Sequence, residues 1–457
     1  QNSEGFWLME KVIPIFYTEY FKYISRFRMI PNPVDCLTPV YRRLLLSMHD
    51  IASKKFTKCS KITGYATGTY HPHGTLAAYG ALITLYKQGF VDNQGNFGTP
   101  GLDDANPSAE RYTEAKLKKW VDEFCFKYIN LVPWDEYEYE NEPLFIPSPI
   151  PIGLIGDGDI YMGIAAHRTI IPRYKLSDLA KRLKYLITED ELDKIIIYPN
   201  LTKDGCSIKR DDIQAEKILT NGSGTLTIIP NCVSKNKELR ILGRVPQTTF
   251  ASLKDDDRLH CECYSGATID VSVKPTKRED LQTFYKYIYK KHLIKNINFI
   301  IYICENDGSV KQEGVDDILL RCYEYYVEIV KFSLINECIK HIDKKFTNEI
   351  ILIIREILRN HPTVKSIDEI IKIFALKNYK IKTEDYYQDQ DQFMLVEKTI
   401  SNEDIKNVCT TKSIKSLIEH NVNIQENDKN IKDIKLKISN NVNDCYALIC
   451  NFCSSNI

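Results

Sequence analysis

Apolar positions recur three and four residues apart at Val315, Ile318, Cys322, Tyr325, Ile329, Phe332, Asn336 and Ile339. That spacing predicts a long helix with one apolar seam, the pattern of a coiled-coil arm. A helix packed on its own domain would show the same spacing. A second run, Ile424, Ile431, Ile434 and Ile438, lies near the C-terminus and is placed to pair antiparallel with the first. Between them, from Asn348 to about Asp404, a small helical knob is expected, with Gln388-Asp389-Gln390-Asp391-Gln392 as a solvated loop. Upstream the pattern mixes shorter elements. Ala215-Glu216-Lys217-Ile218-Leu219 reads as helix, Thr220 to Gly224 as a turn, and Thr225-Leu226-Thr227-Ile228-Ile229-Pro230 as a strand. The run Ile146-Pro147-Ser148-Pro149-Ile150-Pro151 marks a boundary. Nearer the N-terminus, Pro31 and Pro33 frame a turn, and Arg42-Arg43 opens an apolar helix. Tyr70-His71-Pro72-His73-Gly74 reads as the lead into another helix, whose free N–H groups would attract phosphate.

A chain of 457 residues is too long for one core, so two to four domains are expected. No apolar run is long enough for a membrane span. The first residues, Gln1 to Gly5, show neither a basic leader nor an apolar signal core and read as the remnant of a longer chain. The 14 cysteines form no pair of pairs at zinc spacing, and His71-Pro72-His73 is too short to close on one metal. They read as free thiols of a reducing cytoplasm. Abundant Lys, Asn and Ile suggest an AT-rich genome, of a phage, mobile element or low-GC host.

Charge changes the picture locally. The whole chain is formally neutral, yet between Tyr20 and Gly74 nine basic residues (Lys22, Arg26, Arg28, Arg42, Arg43, Lys54, Lys55, Lys58, Lys61) face only Asp35 and Asp50, a local charge of +7. Such a stripe is either a nucleic-acid footprint or a solvated cationic face. Pro107-Ser108-Ala109-Glu110-Arg111-Tyr112-Thr113-Glu114 then sets one arginine beside one tyrosine, after the turn-rich Asp92-Asn93-Gln94-Gly95-Asn96-Phe97-Gly98. A tyrosine there can attack a phosphodiester and hold the cut strand as an ester. A free phenol titrates near ~10 and needs help at neutral pH. The Arg111 guanidinium could neutralise charge growing on the phosphate oxygens. Among 28 tyrosines the pair alone is a weak signal.

The surrounding motifs add the missing specificity. Arg28-Met29-Ile30-Pro31, Leu37-Thr38-Pro39-Val40-Tyr41-Arg42-Arg43, Tyr70-His71-Pro72-His73-Gly74, Val91 to Gly98 and Arg111-Tyr112-Thr113-Glu114 occur in this order. Together they resemble the A-type chain of type IIA DNA topoisomerases, over roughly residues 8 to 175. The resemblance implies an α+β, multidomain, predominantly helical chain. Its expected parts are a winged-helix-like DNA-cleavage module over 8–145 and an α/β tower over 146–312. A coiled-coil arm over 313–347 and 411–457 and a helical dimerisation (exit-gate) domain over 348–410 complete it. Tyr112 matches the tyrosine that becomes linked to the 5′ end of the cut strand, and Arg111 its neighbour at the scissile phosphate. Arg28, Arg43 and His73 match residues that grip that phosphate and its flanks. His71, Arg42 and Lys61 fall on the same expected DNA surface. Ile160 matches an isoleucine that wedges between base pairs and bends the duplex; an ordinary core strand residue is the other reading.

The family implies double-stranded DNA as substrate, a second copy of the chain as partner, and an ATPase/TOPRIM B-type subunit that completes an A2B2 assembly. Mg²⁺ and ATP would be held mainly by that partner, because no Gly-rich nucleotide loop or placed Asp-x-Asp cluster is found here. The alternatives are the cleavage core of a fused single-chain enzyme and a non-cleaving DNA-binding relative. The setting would be the cytoplasm, at a bacterial nucleoid or in an infected host. Three departures from the pattern stand out. Thr38 replaces a DNA-contacting lysine. Ile155 and Asp159 alter the segment before Ile160. Leu76 and Gly80 fall where a serine and an acidic residue anchor quinolones, so weak quinolone sensitivity is expected.

Overall fold

The structure is a computed structural model. It describes residues 9–71, 74–98, 106–137, 140–157, 161–165, 167–202, 205–235, 238–243, 250–265, 268–411 and 422–454. Two compact units divide the chain. One comprises Gln1–Tyr326 with Tyr446–Ile457, the other Val327–Cys445.

The first unit opens with α1 (Met9–Ile24), which buries none of its side chains and runs into a wider turn at Ser25–Met29 carrying Arg26 and Arg28. Next come α2 (Pro39–Ala52), β1 (Thr57–Lys58), α3 (Cys59–Thr69), α4 (Thr75–Lys87), β2 (Val91–Gln94), β3 (Glu114–Leu117) and α5 (Lys119–Cys125). The three strands form an antiparallel sheet in the order β1-β3-β2. Proline supplies the fixed φ of the first turn of α2, and Leu44, Leu45, Leu46 and Met48 fill its buried face. Helix α4 buries Ala78, Tyr79, Leu82, Ile83 and Leu85 but leaves its first turn outside, with Leu76 83% exposed.

The loop before α2 is organised by one carboxylate. Asp35 is fully buried and accepts from the backbone N–H of Leu37 at 2.9 Å and of Ile146 at 2.9 Å. It also pairs with Arg42, Nε to Oδ2 at 2.7 Å. Burial works against a charged Arg42, but the Asp35 carboxylate outweighs it and raises the guanidinium's pKa. The proline-rich boundary segment is thus tied to the first module, not hinged away from it. Cys36 sits in the left-handed region at φ 55°, a conformation that favours glycine.

A hairpin of β4 (Trp134–Tyr137) and β5 (Glu140–Pro143) leads to the α/β part. There β6 (Tyr161–Ala165), β7 (His167–Ile171), β8 (Cys206–Lys209) and β9 (Ser223–Pro230) join a later strand, β14 (Lys295–Ile300), in a five-stranded sheet ordered β6-β7-β14-β9-β8. Helices α6 (Leu176–Thr188) and α7 (Asp212–Asn221) lie in the same stretch of chain. The expected helix-turn-strand at 215–230 is present as α7 and β9, with Asp211 capping α7 through Gln214 N–H at 3.1 Å and Gly222 ending it at φ 72°.

A second sheet holds β10 (Cys232–Lys235), β11 (Glu238–Ile241), β12 (Leu259–Cys263) and β13 (Val271–Pro275), ordered β10-β11-β13-β12. Its core includes Leu253 of α8 (Phe250–Lys254) and Phe284 and Ile288 of α9 (Leu281–Ile288). Strand β14 follows, then the small hairpin β15 (Tyr302–Cys304) and β16 (Val310–Gln312).

Helix α10 (Val315–Asn360) runs for 46 residues, its part from Val327 onward lying in the second unit. That unit's other described elements are α11 (Ile367–Lys377), β17 (Lys380–Tyr387), β18 (Gln392–Thr399), α12 (Asn402–Thr411) and most of α13 (Ile424–Ser454). Cys338 and Ile342 of α10 pack with Ile431 and Ile434 of α13. The pairs Lys345–Asp428 at 2.7 Å and Asn441 Nδ2 to Val327 carbonyl at 2.9 Å run in opposite chain order, so the helices are antiparallel.

The seam differs in register from the sequence expectation. Past Tyr326 the expected Ile329 is buried, but the seam then follows Ile335, Cys338 and Ile342, while Phe332 is 51% exposed and Asn336 and Ile339 are only half-buried. The knob also differs, because 380–399 is a β-hairpin packed on a helical core of Ile350, Ile354, Ile370, Phe374 and Ile405. Alternation of Ile381 and Thr383 with Lys380 and Lys382 gives β17 its period of two. The acidic run 388–392 forms the exposed connection. Among the described residues no helix is long and apolar enough to cross a membrane.

Candidate functional site

Tyr112 lies in a short 3₁₀ turn, Glu110–Tyr112, just ahead of β3. Its side chain is 66% exposed, yet the backbone around it is fixed on every side. Ser108 N–H reaches Asn96 carbonyl at 2.9 Å, and Tyr112 N–H reaches Ala109 carbonyl at 2.9 Å. Cys59 N–H, at the start of α3, donates to Thr113 carbonyl at 3.0 Å. From α4, the Tyr79 hydroxyl donates to Ser108 carbonyl at 2.7 Å and lies 3.0 Å from Thr113 Oγ1. From α3, Thr63 Oγ1 donates to Glu110 at 2.7 Å. Positions 108, 110 and 113 are therefore held by α3, α4 and the loop after β2, while Arg111 and Tyr112 are exposed. The Arg111 guanidinium lies over the Tyr112 ring, 4.7 Å from its centroid.

Gly95 completes the frame. It has φ 89°, and a Cβ placed there would lie 2.9 Å from Tyr112 carbonyl oxygen. The turn-rich segment before Phe97 thus presses against the tyrosine's own backbone, and only glycine allows it.

The other expected site residues divide into exposed and buried sets. Arg28 is exposed, its guanidinium 5.7 Å from the Tyr23 ring centroid. Lys61, on α3, is exposed, as are Lys54, Lys55 and Lys58. Arg43 is only 3% exposed. Its Nε and Nη2 donate to the two oxygens of Glu142 at 2.6 and 2.8 Å, and its Nη1 lies 2.9 Å from His71 Nδ1. The structure therefore joins Arg43 to His71 and Arg111 to Tyr112. Arg42 is also buried, its guanidinium engaged by Asp35 and by Leu37 carbonyl at 3.2 Å. His73 and Ile160 lie outside the described residues.

Residues 28–447 match the family of DNA gyrase and topoisomerase IV A-type subunits. The chain belongs to that family. Similar curated proteins include the A-type DNA gyrase subunit of Rickettsia conorii, 26% identical over 419 residues, covering 81% of this chain and 43% of that protein. The A-type DNA topoisomerase 4 subunit of Staphylococcus aureus is 28% identical over 371 residues, covering 72% and 45%. The A-type DNA gyrase subunit of Helicobacter pylori J99 is 32% identical over 252 residues, covering 50% and 29%. The match thus spans less than half the length of each of these relatives.

In this member of the gyrase and topoisomerase IV A-type family, the residues that the sequence reading overlooked are the supports. Thr63 and Tyr79 carry no motif of their own, and Thr113 was quoted only as part of the Arg111 to Glu114 string. Glu142 had a signal. Residues Asp135 to Glu142 include five acids and no base, downstream of a module with a basic stripe. Two of those acids are partners of the stripe, since Asp135 pairs with Arg26 and Glu142 with Arg43. Among the described residues no group of three or more His, Cys, Asp or Glu could hold a metal ion.

Proposed function

We propose that this chain is the DNA breakage-and-reunion component of a type IIA topoisomerase. The observation that carries the reading is the exposed Tyr112 side chain, covered by Arg111, on a backbone that cannot drift. The order α2-β1-α3-α4-β2-β3 suits a winged helix, with Tyr112 where the wing re-enters the sheet. Tyr112 Oη attacks phosphorus, the bond from phosphorus to the 3′ oxygen breaks, and the phenol's proton is transferred on to the departing 3′ hydroxyl. The product is a 5′-phosphotyrosine ester, and the reverse reaction reseals the strand. Arg111 neutralises charge on the phosphate oxygens as it builds. Because one ester is exchanged for another, resealing needs no external energy.

In this reading, Arg28, Lys61 and the exposed Lys54 and Lys55 meet the DNA backbone, and His73 and Ile160 act at the phosphate and as the wedge. Arg43 and His71 flank the cleavage point from within the module. Arg42, committed to Asp35, shapes the loop before α2 instead of touching DNA. Two copies cut the two strands, and the second unit, with its antiparallel arm, provides dimer contacts at the exit gate. A B-type subunit supplies ATP hydrolysis and the Mg²⁺ site in an A2B2 assembly, and a second duplex passes through the break. The test is relaxation of supercoiled plasmid with such a subunit, Mg²⁺ and ATP. Linking-number change in steps of two, lost in Tyr112→Phe, is the expected result. DNA binding without any change in linking number would overturn the reading.

A further inference from the structure

The hydrogen bonds around Arg43 reach beyond pairing a charge. A guanidinium has five N–H donors and no acceptor. Where Arg43 Nη1 meets His71 Nδ1 at 2.9 Å, the arginine must therefore donate and the imidazole nitrogen must accept. A neutral imidazole that accepts at Nδ1 carries its proton on Nε2. The tautomer, normally ambiguous, is fixed here by the partner's chemistry. What aims Nη1 at the ring is Glu142, which occupies Nε at 2.6 Å and Nη2 at 2.8 Å in a bidentate grip. All three residues are buried, with Arg43 3%, Glu142 6% and His71 7% exposed. Bulk water is thus in no position to take the place of a lost partner.

We propose that Glu142 is a positioning residue for DNA cleavage. Through Arg43 it holds His71 as the neutral tautomer with its proton on Nε2. This rests on the cleavage reading above. The relay starts on the β4–β5 hairpin, crosses α2 at Arg43, and ends where the chain leaves α3, since His71 N–H also bonds Ala66 carbonyl at 2.8 Å. His71 stands immediately before Pro72-His73-Gly74 and the start of α4. A fixed His71 therefore borders, in sequence, the residue proposed above to act at the phosphate. The same grip keeps Arg43 inside the module, so its effect on the reaction passes through His71.

Glu142→Gln preserves the shape but removes the charge and one of the two acceptors. Arg43 then loses its fixed aim, and His71 Nδ1 loses its donor. The test uses the full chain with ¹⁵N-labelled histidine, the His71 signals being assigned by their absence in His71→Asn. Wild type is expected to show a single Nε2–H tautomer at His71, and Glu142→Gln a mixture of both. With DNA and the B-type subunit, the variant is expected to form covalent complex about tenfold more slowly, with DNA affinity within about threefold of wild type. Glu142→Asp, which keeps the charge, should retain the wild-type tautomer and most of the rate; it also decides the matter if Glu142→Gln does not fold. A mixed tautomer in wild type, or an unchanged His71 spectrum and cleavage rate in Glu142→Gln, would overturn the proposal. A single wild-type tautomer with no covalent complex would instead overturn the cleavage reading beneath it.

Discussion

Gly95→Ala perturbs the candidate nucleophile without touching its side chain. A Cβ at position 95 would lie 2.9 Å from Tyr112 carbonyl oxygen and 3.4 Å from both Thr113 Cα and Cγ2. Ordinary contact begins near 3.4 Å, so the backbone at Tyr112 must retreat by about 0.5 Å. It cannot do so freely, because Cys59 N–H and the Tyr79 hydroxyl hold Thr113, and Ser108 is tied to Asn96. Alanine also has to adopt φ near 89°, in the left-handed half of conformational space, at a cost of about 1–2 kcal/mol. With the contact added, the module should lose about 2–3 kcal/mol of stability. A displacement of half an ångström at an attacking atom should slow cleavage by about tenfold, since about 1 Å costs near a hundredfold. The assay is the rate of covalent complex formation with a B-type subunit, Mg²⁺ and a short duplex, beside thermal unfolding and DNA binding by anisotropy. The expected result is a lower melting temperature, DNA affinity within about twofold, and cleavage down by about tenfold. A folded variant that cleaves at the wild-type rate would refute the idea that this contact positions Tyr112.

Four further outcomes are expected. Asp35→Ala leaves Arg42 as a buried unpaired cation and strands two backbone N–H groups; it should destabilise the first unit by about 3–5 kcal/mol, read by denaturant unfolding. At Cys36, φ 55° makes glycine a better replacement than alanine, so Cys36→Gly should melt higher than Cys36→Ala, by a difference of about 1 kcal/mol. Burial would raise the Asp256 carboxyl, but hydrogen bonds from Lys291, His292 and Tyr287 outweigh it and hold it far below the usual carboxylate range. Its stabilising effect is thus fully present above the unfolded carboxylate range near ~4 and fades only as pH falls towards the folded value. Asp256→Asn should therefore lower the melting temperature at pH 7 and lose its effect in strong acid. Leu76 is 83% exposed and a Cβ at Gly80 meets nothing within 4 Å, so Leu76→Ser with Gly80→Glu fits sterically. That pair should raise fluoroquinolone-stimulated cleavage well above wild type, and strong stimulation of the wild type at low drug concentration would contradict it.

How much of this was legible in the sequence depends on what each feature needs. The antiparallel pairing of α10 with α13 was legible in kind, because apolar runs at both ends of a segment leave few other ways to bury them. Its register was not. Ile335 and Cys338 compete with Phe332 and Asn336 for the buried face, and only the neighbours decide between them. The hairpin at 380–399 was missed because Lys380 to Tyr387 is half polar and lies between helical segments, where its pairing strand, Gln392–Thr399, is needed to complete the pattern. At the candidate site, the pairing of Arg111 with Tyr112 could be read directly, since the two are neighbours in the chain and the guanidinium lies over the ring. The burial of Arg42 and Arg43 could not. An Arg-Arg pair in a basic stretch looks like a surface footprint, and each cation's partner is a carboxylate whose relevance emerges from folding. Asp35 is seven residues from Arg42, and Glu142 is 99 from Arg43. Thr63, Tyr79 and Gly95 are ordinary residues that acquire their roles from a backbone they meet only in three dimensions.

The central claim is that Tyr112 carries the covalent link to DNA. The most direct measurement traps the cleaved complex with Mg²⁺ and a B-type subunit, digests DNA and protein, and finds by mass spectrometry which peptide bears a nucleotide. The account predicts a 5′-nucleotide on the phenolic oxygen of Tyr112 and none on the chain once Tyr112 is phenylalanine. A nucleotide on another tyrosine, or strand passage with no nucleotide on this chain, would contradict it.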